Sequence, residues 1–384
     1  MKVVFLTNYF NHHQRPFCEA LYARLKDGFR FVSTREMGEE RKKLGYQSGA
    51  DAEYVACAYA GESHRNSCLA LVDNADVVIA GSAPDSYLDN RRRKGKLIFR
   101  YSERLYKQGF TWYKWPVRAF RFWQKYSMKP GQYLLCASAY TAADFAITGT
   151  FKNRAYKWGY YPETVRYDLD VLMRNKNRKK ILWCGRFLDW KHPDDVIWVA
   201  KQLQNENYDF QIDYIGTGDM EKELTDLICQ SGLEDTVHLL GPMKPEMVRK
   251  HMEEAGIYLF TSDFREGWGA VLNESMNSGC AVVASHAIGS VPYLMDHEKN
   301  GLIYQSGNVQ DLYNKIKYLL DKPGEQIRLG TAAYHSITAL WNAEVAAERF
   351  VKLVDEIQDH GYCDLFEDGP CSRANVLKND WFKG

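Results

Sequence analysis

The chain has 384 residues, of which 45% are hydrophobic and 26% charged, with a formal net charge of +1. That length accommodates two domains with separate cores, and the composition is that of an ordinary soluble globular protein. A balance so near neutrality does not define a partner, so any electrostatic function must come from how the charges are distributed.

No apolar run approaches the roughly 18 residues needed to cross a bilayer, and Met1 leads directly into a strand-like segment, which argues against a secretory signal or membrane span and sets the expectation of a cytoplasmic protein. The nine cysteines are scattered without C-x2-C pairs. Cys136, Cys184 and Cys280 fall in predicted strands and read as small buried apolar residues in a reducing compartment. Cys363 and Cys371 are near enough in sequence to invite a disulfide, the less favoured reading.

In chain order, Lys2–Thr7 reads as a strand, and a helix is expected from Pro16 to Leu25, with proline at its first turn and Gly28 after its end. Phe29–Val32 is the next strand. This is a Rossmann-like opening without G-x-G-x-x-G. His12 and His13 follow the first strand at its carboxyl end, where open α/β sheets place their ligands; they are candidates for an acceptor-side role. Residues 35–50 are charged and punctuated by glycine, as expected of a surface loop. Ser67–Asn74 reads as helix, and Asp76–Ala80 and Lys96–Tyr101 as strands.

Arg91–Lys129 has a skewed composition. Arg91, Arg92, Arg93, Lys94, Lys96, Arg100, Arg104, Lys107, Lys114, Arg118, Arg121, Lys125 and Lys129 are interleaved with Tyr101, Tyr106, Phe110, Trp112, Tyr113, Trp115, Phe120, Phe122, Trp123 and Tyr126. Trp115–Met128 reads as a basic amphipathic helix, the signature of peripheral contact with an anionic membrane surface. No recognisable nucleic-acid motif accompanies it, so nucleic acid is not the expected partner. Core aromatics with solvated cations are the alternative.

Gln132–Ala137 is the next strand, and Lys157–Glu163 has the character of a crossover between domains. Ile181–Cys184 opens a second series and leads into Gly185-Arg186, with Lys191 five residues on. Two fixed cations at a strand end can neutralise a leaving diphosphate without a metal. Pro193 begins a helix whose first turn carries Asp194 and Asp195, favourable against its dipole. Phe210–Gly218 is a strand with a glycine turn, followed by helix Met220–Ser231; Val237–Met243 is strand and loop, followed by helix Pro245–Glu254.

Ile257–Phe260 is a short apolar strand. Glu266-Gly267-Trp268-Gly269-Ala270 then turns into a helix of about nine residues carrying Glu274, stopped by Gly279, and Ala281–Ala284 reads as a fully buried parallel strand. This βαβ unit presents an anion site at a helix N-terminus together with two carboxylates suited to sugar hydroxyls. A nucleoside diphosphate sugar has both parts. Helix Val309–Leu320 and a terminal helix beginning near Trp341 complete the series.

The stretch from Glu266 to Glu274 resembles the E-x7-E signature of retaining glycosyltransferases of family 4, which have the GT-B fold. Gly185-Arg186 with Lys191 resembles that family's diphosphate-binding pair. The resemblance is specific from about residue 180 to 355 and only topological before that. It implies an α/β protein of two Rossmann-like domains, their parallel sheets facing across a cleft. An acceptor domain would span residues 1–162 and a nucleotide-sugar domain 163–341, with the C-terminal helix (342–360) crossing back to the first and residues 361–384 a tail. It implies that Glu274 binds the ribose, Glu266 meets the donor sugar, and Arg186 and Lys191 hold the diphosphate. Gly216, Gly241, Met243, Gly267, Trp268, Gly269 and Ala270 would complete the donor pocket, without metal or other cofactor. Some family members have a histidine near the end of the strand at Lys96–Tyr101; here Glu103 takes that place as the acceptor-side candidate. Three further positions depart from the pattern: Ala281 replaces a turn proline, His192 stands where glycine is more common, and Tyr293 where an acid is common.

The activity so implied is retaining transfer of a sugar from a UDP or GDP sugar to a glycan or lipid-linked acceptor in cell-surface polysaccharide synthesis, in the cytoplasm or peripheral on the inner face of the membrane. A nucleotide-sugar epimerase of the same fold and a non-catalytic nucleotide-sugar binding protein are the alternatives.

Overall fold

The computed structural model describes residues 1–38, 51–109, 113, 115–127 and 130–383. Most of the charged loop expected at 35–50 lies outside these residues, as do Phe110, Trp112, Lys114, Met128 and Lys129 of the basic aromatic segment. The chain divides into two compact units, Met1–Glu163 with Asn342–Lys378, and 164–341 with 379–383.

The first unit is built on seven strands: β1 (Val3–Thr7), β2 (Phe29–Ser33), β3 (Val55–Cys57), β4 (Val77–Ala80), β5 (Leu97–Ser102), β6 (Gln132–Cys136) and β7 (Ala155–Lys157). They form one sheet in the order β3-β2-β1-β4-β5-β6-β7, with every pairing parallel. Parallel strands are covered on both faces, which is why β1, β4 and β6 are buried along their whole length. Helix Arg15–Leu25 starts one residue before the expected Pro16, and helix Glu62–Asn74 five residues before the expected Ser67. Asn342 caps the terminal helix Ala343–His360, its side chain accepting from the Val345 N–H at 3.0 Å. Phe350 of that helix packs edge-on against Phe17 of helix Arg15–Leu25, Phe99 of β5 and Trp158 just after β7.

The segment read as a tail is seated on this unit as far as Lys378. Lys157 donates its N–H to Ser372 and Cys371 donates to Lys157, while Tyr133 donates its hydroxyl to Gly361. All nine cysteines are free thiols, and Cys363 and Cys371 are buried.

The second unit has six strands: β8 (Asn177–Cys184), β9 (Gln211–Ile215), β10 (Val237–Leu239), β11 (Ala255–Phe260), β12 (Ala281–Ser285) and β13 (Leu302–Tyr304). Their order is β10-β9-β8-β11-β12-β13, again parallel throughout. Ile181, Ile212, Ile257, Val283 and Leu302 form a continuous core with residues of the covering helices, such as Val196, Leu224 and Ile316. The order reverses direction between β1 and β4 in one unit and between β8 and β11 in the other. Open doubly wound sheets bind ligands outside the carboxyl ends of the strands at such reversals.

The cations of the basic segment are not all solvated. Arg91 is fully buried and donates to the carbonyls of Val72, Ala75, Asp76 and Leu97, at 2.7 to 3.0 Å. Arg92 pairs with Asp85 and Asp89, Lys125 with Asp85, and Arg104 with buried Asp144. Tyr126 and Phe122 pack onto Phe145, so part of the aromatic content is core. Arg91 supplies donors to carbonyls that would otherwise be buried without them, and Arg104 supplies donors to the buried Asp144 carboxylate, whereas Asp85 and Asp89 are exposed acids. The outward remainder is helix Trp115–Phe122 and the turn Trp123–Ser127, on which Val117, Phe120 and Trp123 are exposed beside Arg118 and Arg121.

Candidate functional site

In the second unit three glycine-bearing loops interlock at the carboxyl ends of β8, β9 and β10. Gly185 donates to Ile215, Gly216 donates to Gly241, and Phe187 donates to Thr217. Gly216 has φ +142, and a Cβ there would lie 1.9 Å from the Gly185 carbonyl oxygen. No other residue fits that crossing, so the glycine fixes where the Arg186 loop stands. Arg186 is exposed, and no acid pairs with it among the described residues.

Lys191 and Glu266, 75 residues apart, are brought together. The ammonium donates to a Glu266 oxygen at 2.5 Å, and the Ser262 hydroxyl donates to the same oxygen at 3.2 Å. Both side chains are mostly buried, 12% and 14% exposed. The Lys191 ammonium also stands 4.7 Å from the Trp190 ring centre. The Thr261 hydroxyl holds the Lys191 carbonyl at 2.5 Å. Thr261 and Ser262 are thus working parts of the site that the motif reading passed over; two hydroxyls at the carboxyl end of β11 were the available signal.

His192 occupies the left-handed region at φ +48 and ψ +51. This is the position where glycine is more common in the resembled pattern, and the backbone shows why. The imidazole lies 3.7 Å from the Asp263 carboxylate.

The turn after β11 is steric in origin. Gly269 has φ +78, and a Cβ on it would fall 2.2 Å from the Phe260 ring. Gly267 is buried within the same turn. Trp268 is fully buried; its indole N–H donates to Asn273 at 2.9 Å and its ring packs near Trp341 and Tyr293. Its side chain is therefore a strut beneath the turn, and only its backbone is available to a ligand. Ala270 precedes helix Val271–Asn277, which has seven residues rather than the nine expected. Gly279 ends it in the left-handed region at φ +70, where a Cβ would meet Met173 at 2.4 Å.

Glu274 rides on that helix, half-buried, and its carboxyl has no hydrogen-bond or ion-pair partner among the described residues. Burial raises its pKa above the ordinary carboxylate range, with Arg249 opposing. Cys184, the last residue of β8, is pushed up to about 12 by burial and then by the charge of Glu274, with Lys191 pulling the other way. Tyr258, whose hydroxyl donates to the Cys184 carbonyl at 3.3 Å, has its pKa raised by burial first, then by the charges of Cys184, Glu274, Cys280 and Glu266. Glu266, Glu274 and Lys191 therefore act on one small region at the β8–β11 reversal. Gly241 and Met243 follow β10, half-buried, at the edge of the same loop layer.

The first unit has its own cavity at the β1–β4 reversal, about 390 Å³ in volume. His13 and Glu103 both line it; His12 does not, but lies against His13 with ring centres 3.9 Å apart and planes tilted by 45°. The Glu103 carboxylate accepts from Lys107 on one oxygen and from Tyr160 on the other.

Two parallel-sheet Rossmann-like units of this strand order define an α/β protein of the GT-B fold. Residues 168–336 match the family model described as "Glycosyl transferases group 1". The amylovoran biosynthesis glycosyltransferase AmsK of Erwinia amylovora is 26% identical over 211 residues, 54% of this chain and 51% of that one. The N-acetylgalactosamine-N,N'-diacetylbacillosaminyl-diphospho-undecaprenol 4-alpha-N-acetylgalactosaminyltransferase of Campylobacter jejuni is 30% identical over 152 residues, 40% of this chain and 39% of that one. The matched stretch thus spans about half the length of these curated relatives or less. The crystal structure of Anabaena HepE in complex with UDP superposes with a TM-score of 0.67 at 15% identity, covering 93% of this chain and 100% of that one. Among the described residues no helix is long and apolar enough to cross a membrane.

Proposed function

We propose that the protein is a retaining glycosyltransferase that moves a sugar from a nucleoside diphosphate sugar, UDP- or GDP-linked, to a glycan or lipid-linked acceptor in surface polysaccharide synthesis. The observation that carries this reading is the 2.5 Å pairing of Lys191 with Glu266 beside an unpartnered, raised-pKa Glu274 and an exposed Arg186. A diphosphate needs cations and a sugar needs hydrogen-bond acceptors, and this corner of the β8–β11 reversal offers both. The names of the amylovoran and Campylobacter enzymes support the choice of acceptor class, and the UDP complex of the Anabaena neighbour supports a nucleotide donor.

In this reading Glu274 accepts from the ribose hydroxyls and Glu266 from the donor sugar. Arg186 and Lys191 stabilise the departing diphosphate, so that no metal is required. Gly216, Gly241 and Met243 border the base, and the backbone of residues 267–270 approaches the donor. The only D-x-D in the linker, Asp168-Leu169-Asp170, is not free for metal work at its first carboxylate: Asp168 caps helix Leu169–Asn175 by accepting from Val171 at 3.1 Å. His12, His13 and Glu103 belong to the acceptor side.

The same reading places the protein in the cytoplasm, docked peripherally on an anionic membrane. Val117, Phe120 and Trp123 recur every three residues on one helical stripe, exposed by 58%, 61% and 45%, with Arg118 and Arg121 beside them.

Turnover of labelled donor with and without a polyprenyl-linked glycan tests the activity. Transfer only with acceptor supports it. Conversion of the sugar and release of free nucleotide without acceptor would make the protein an epimerase, and binding without turnover a nucleotide-sugar binding protein.

A further inference from the structure

The cavity of the first unit is richer in donors than a neutral sugar requires. Four charged residues line it: Arg100, Glu103, Arg104 and Lys107. Glu103 is engaged by Lys107, and Arg104 is held by buried Asp144 at 3.2 Å. Arg100 remains. It stands near the carboxyl end of β5, half-buried, with one guanidinium nitrogen donating to the Gly81 carbonyl at 2.8 Å and its Nε buried without a hydrogen-bond partner. No acid among the described residues pairs with it.

Two carboxamides that line the same cavity point the same way. The Asn8 oxygen accepts from the Tyr9 N–H at 2.9 Å and from Thr7 at 3.2 Å, and the Asn11 oxygen accepts from the His13 N–H at 3.0 Å. With both oxygens committed to the chain, both NH2 groups are left as donors. A guanidinium without a counter-ion and two amide donors, lining one cavity with a carboxylate already neutralised, make a site for an oxyanion.

We propose that this cavity binds a phosphate or diphosphate group of the acceptor, with Arg100 as the residue that reads its charge and Asn8 and Asn11 as its neutral donors. The proposal rests on the transferase reading and narrows the acceptor to a phosphorylated one. Glu103 is then left to accept from a nearby acceptor hydroxyl, its orientation fixed by Lys107 and Tyr160.

The test titrates inorganic pyrophosphate into the full chain by calorimetry at low salt, in an Arg186→Ala background so that the heat reports the first unit. A second arm uses detergent micelles carrying a polyprenyl diphosphate. Arg100→Gln should weaken binding at least about tenfold, the loss of one charge-assisted contact. Asn11→Asp, which keeps the oxygen that holds His13 and replaces the NH2 by a charge, should weaken it as much with an unchanged melting temperature. Arg100-dependent binding of soluble pyrophosphate supports a free phosphate source, and Arg100-dependent binding of the micelle alone supports a lipid headgroup. Affinity within twofold of the background for both variants in both arms overturns the proposal, as does no binding in either arm. The transferase reading is scored separately: labelled donor turned over on a neutral glycan without dependence on Arg100 would keep that reading and sink this one.

Discussion

Glu274 gives a prediction in which stability and function move in opposite directions. Its carboxyl is half-buried on a helix, without a partner among the described residues, and burial raises its pKa. An acid whose folded pKa lies above its unfolded value is neutral in both states at low pH. As pH rises past the ordinary glutamate value, the unfolded chain releases its proton first, and stability falls until the folded pKa is passed. Each pH unit of elevation costs about 1.4 kcal/mol at neutral pH. Glu274→Gln removes that cost while keeping shape and one acceptor oxygen. The variant should therefore melt higher than wild type at pH 7, by about 2–4 °C for each kcal/mol recovered in a unit of this size. The gap should close on acidification toward the ordinary glutamate range. The same substitution should weaken nucleoside diphosphate binding by about 10- to 150-fold, the loss of a charge-assisted contact worth roughly 1.5–3 kcal/mol. Wild-type affinity should also fall as pH drops through the raised pKa, because the ligand engages the ionised form. Differential scanning calorimetry across pH and titration with UDP and GDP read both effects. A variant that melts at or below the wild-type temperature at pH 7 would refute the unpartnered carboxylate, and unchanged nucleotide affinity would refute its role at the ribose.

Arg186→Ala should lower turnover on the order of 100- to 1,000-fold, with chelation leaving wild-type turnover intact; full dependence on added divalent metal would overturn the role given to the two cations. Reversing Arg118 and Arg121 to glutamate together with Phe120→Ser should abolish sedimentation with anionic liposomes without moving the melting temperature, since none of the three is buried. Arg91→Met should cost at least about 3 kcal/mol by denaturant titration, because four buried carbonyls lose one shared donor. His192→Gly should be neutral or stabilising, whereas a β-branched residue there should cost roughly 1–2 kcal/mol, the penalty of left-handed backbone.

What the sequence made legible was whatever depends on neighbours in the chain. The alternation of apolar runs and helices foretold a Rossmann-like opening, the family resemblance implied the two parallel sheets, and Gly279 foretold a helix end because only glycine takes φ +70 there without cost. β3 and β7, three residues each, carry too few residues to show a period and went unread. Arg91 was counted with a basic surface because its fate is decided by carbonyls 15 to 19 residues earlier, to which no composition points. Trp268 looked like a ligand contact because it stands between two glycines of the turn; the partners that bury it, Trp341 and Tyr293, come from elsewhere in the unit. The motif picked out Lys191 and Glu266 separately, and their direct pairing became visible only when β8 and β11 lay side by side.

That pairing bears on the stereochemistry of the proposed reaction. Retention by double displacement needs a carboxylate nucleophile whose lone pairs are free to attack the anomeric carbon. Glu266, which the proposal puts at the donor sugar, is the candidate, yet one of its oxygens accepts from the Lys191 ammonium and the Ser262 hydroxyl, both of which lower its nucleophilicity. Glu274 is unpartnered among the described residues, but the ribose role proposed for it would keep it away from the anomeric centre. Retention in the proposed mechanism therefore proceeds by front-face attack, the departing phosphate taking the acceptor proton while Arg186 and Lys191 stabilise the charge. The donor anomeric configuration should persist in the product, as followed by time-resolved NMR of the anomeric proton. Mass spectrometry of the protein quenched during turnover should find no glycosyl adduct on Glu266. An inverted product would remove the retaining assignment altogether, and a trapped Glu266 ester would show that the ion pair opens on donor binding and frees the carboxylate to attack.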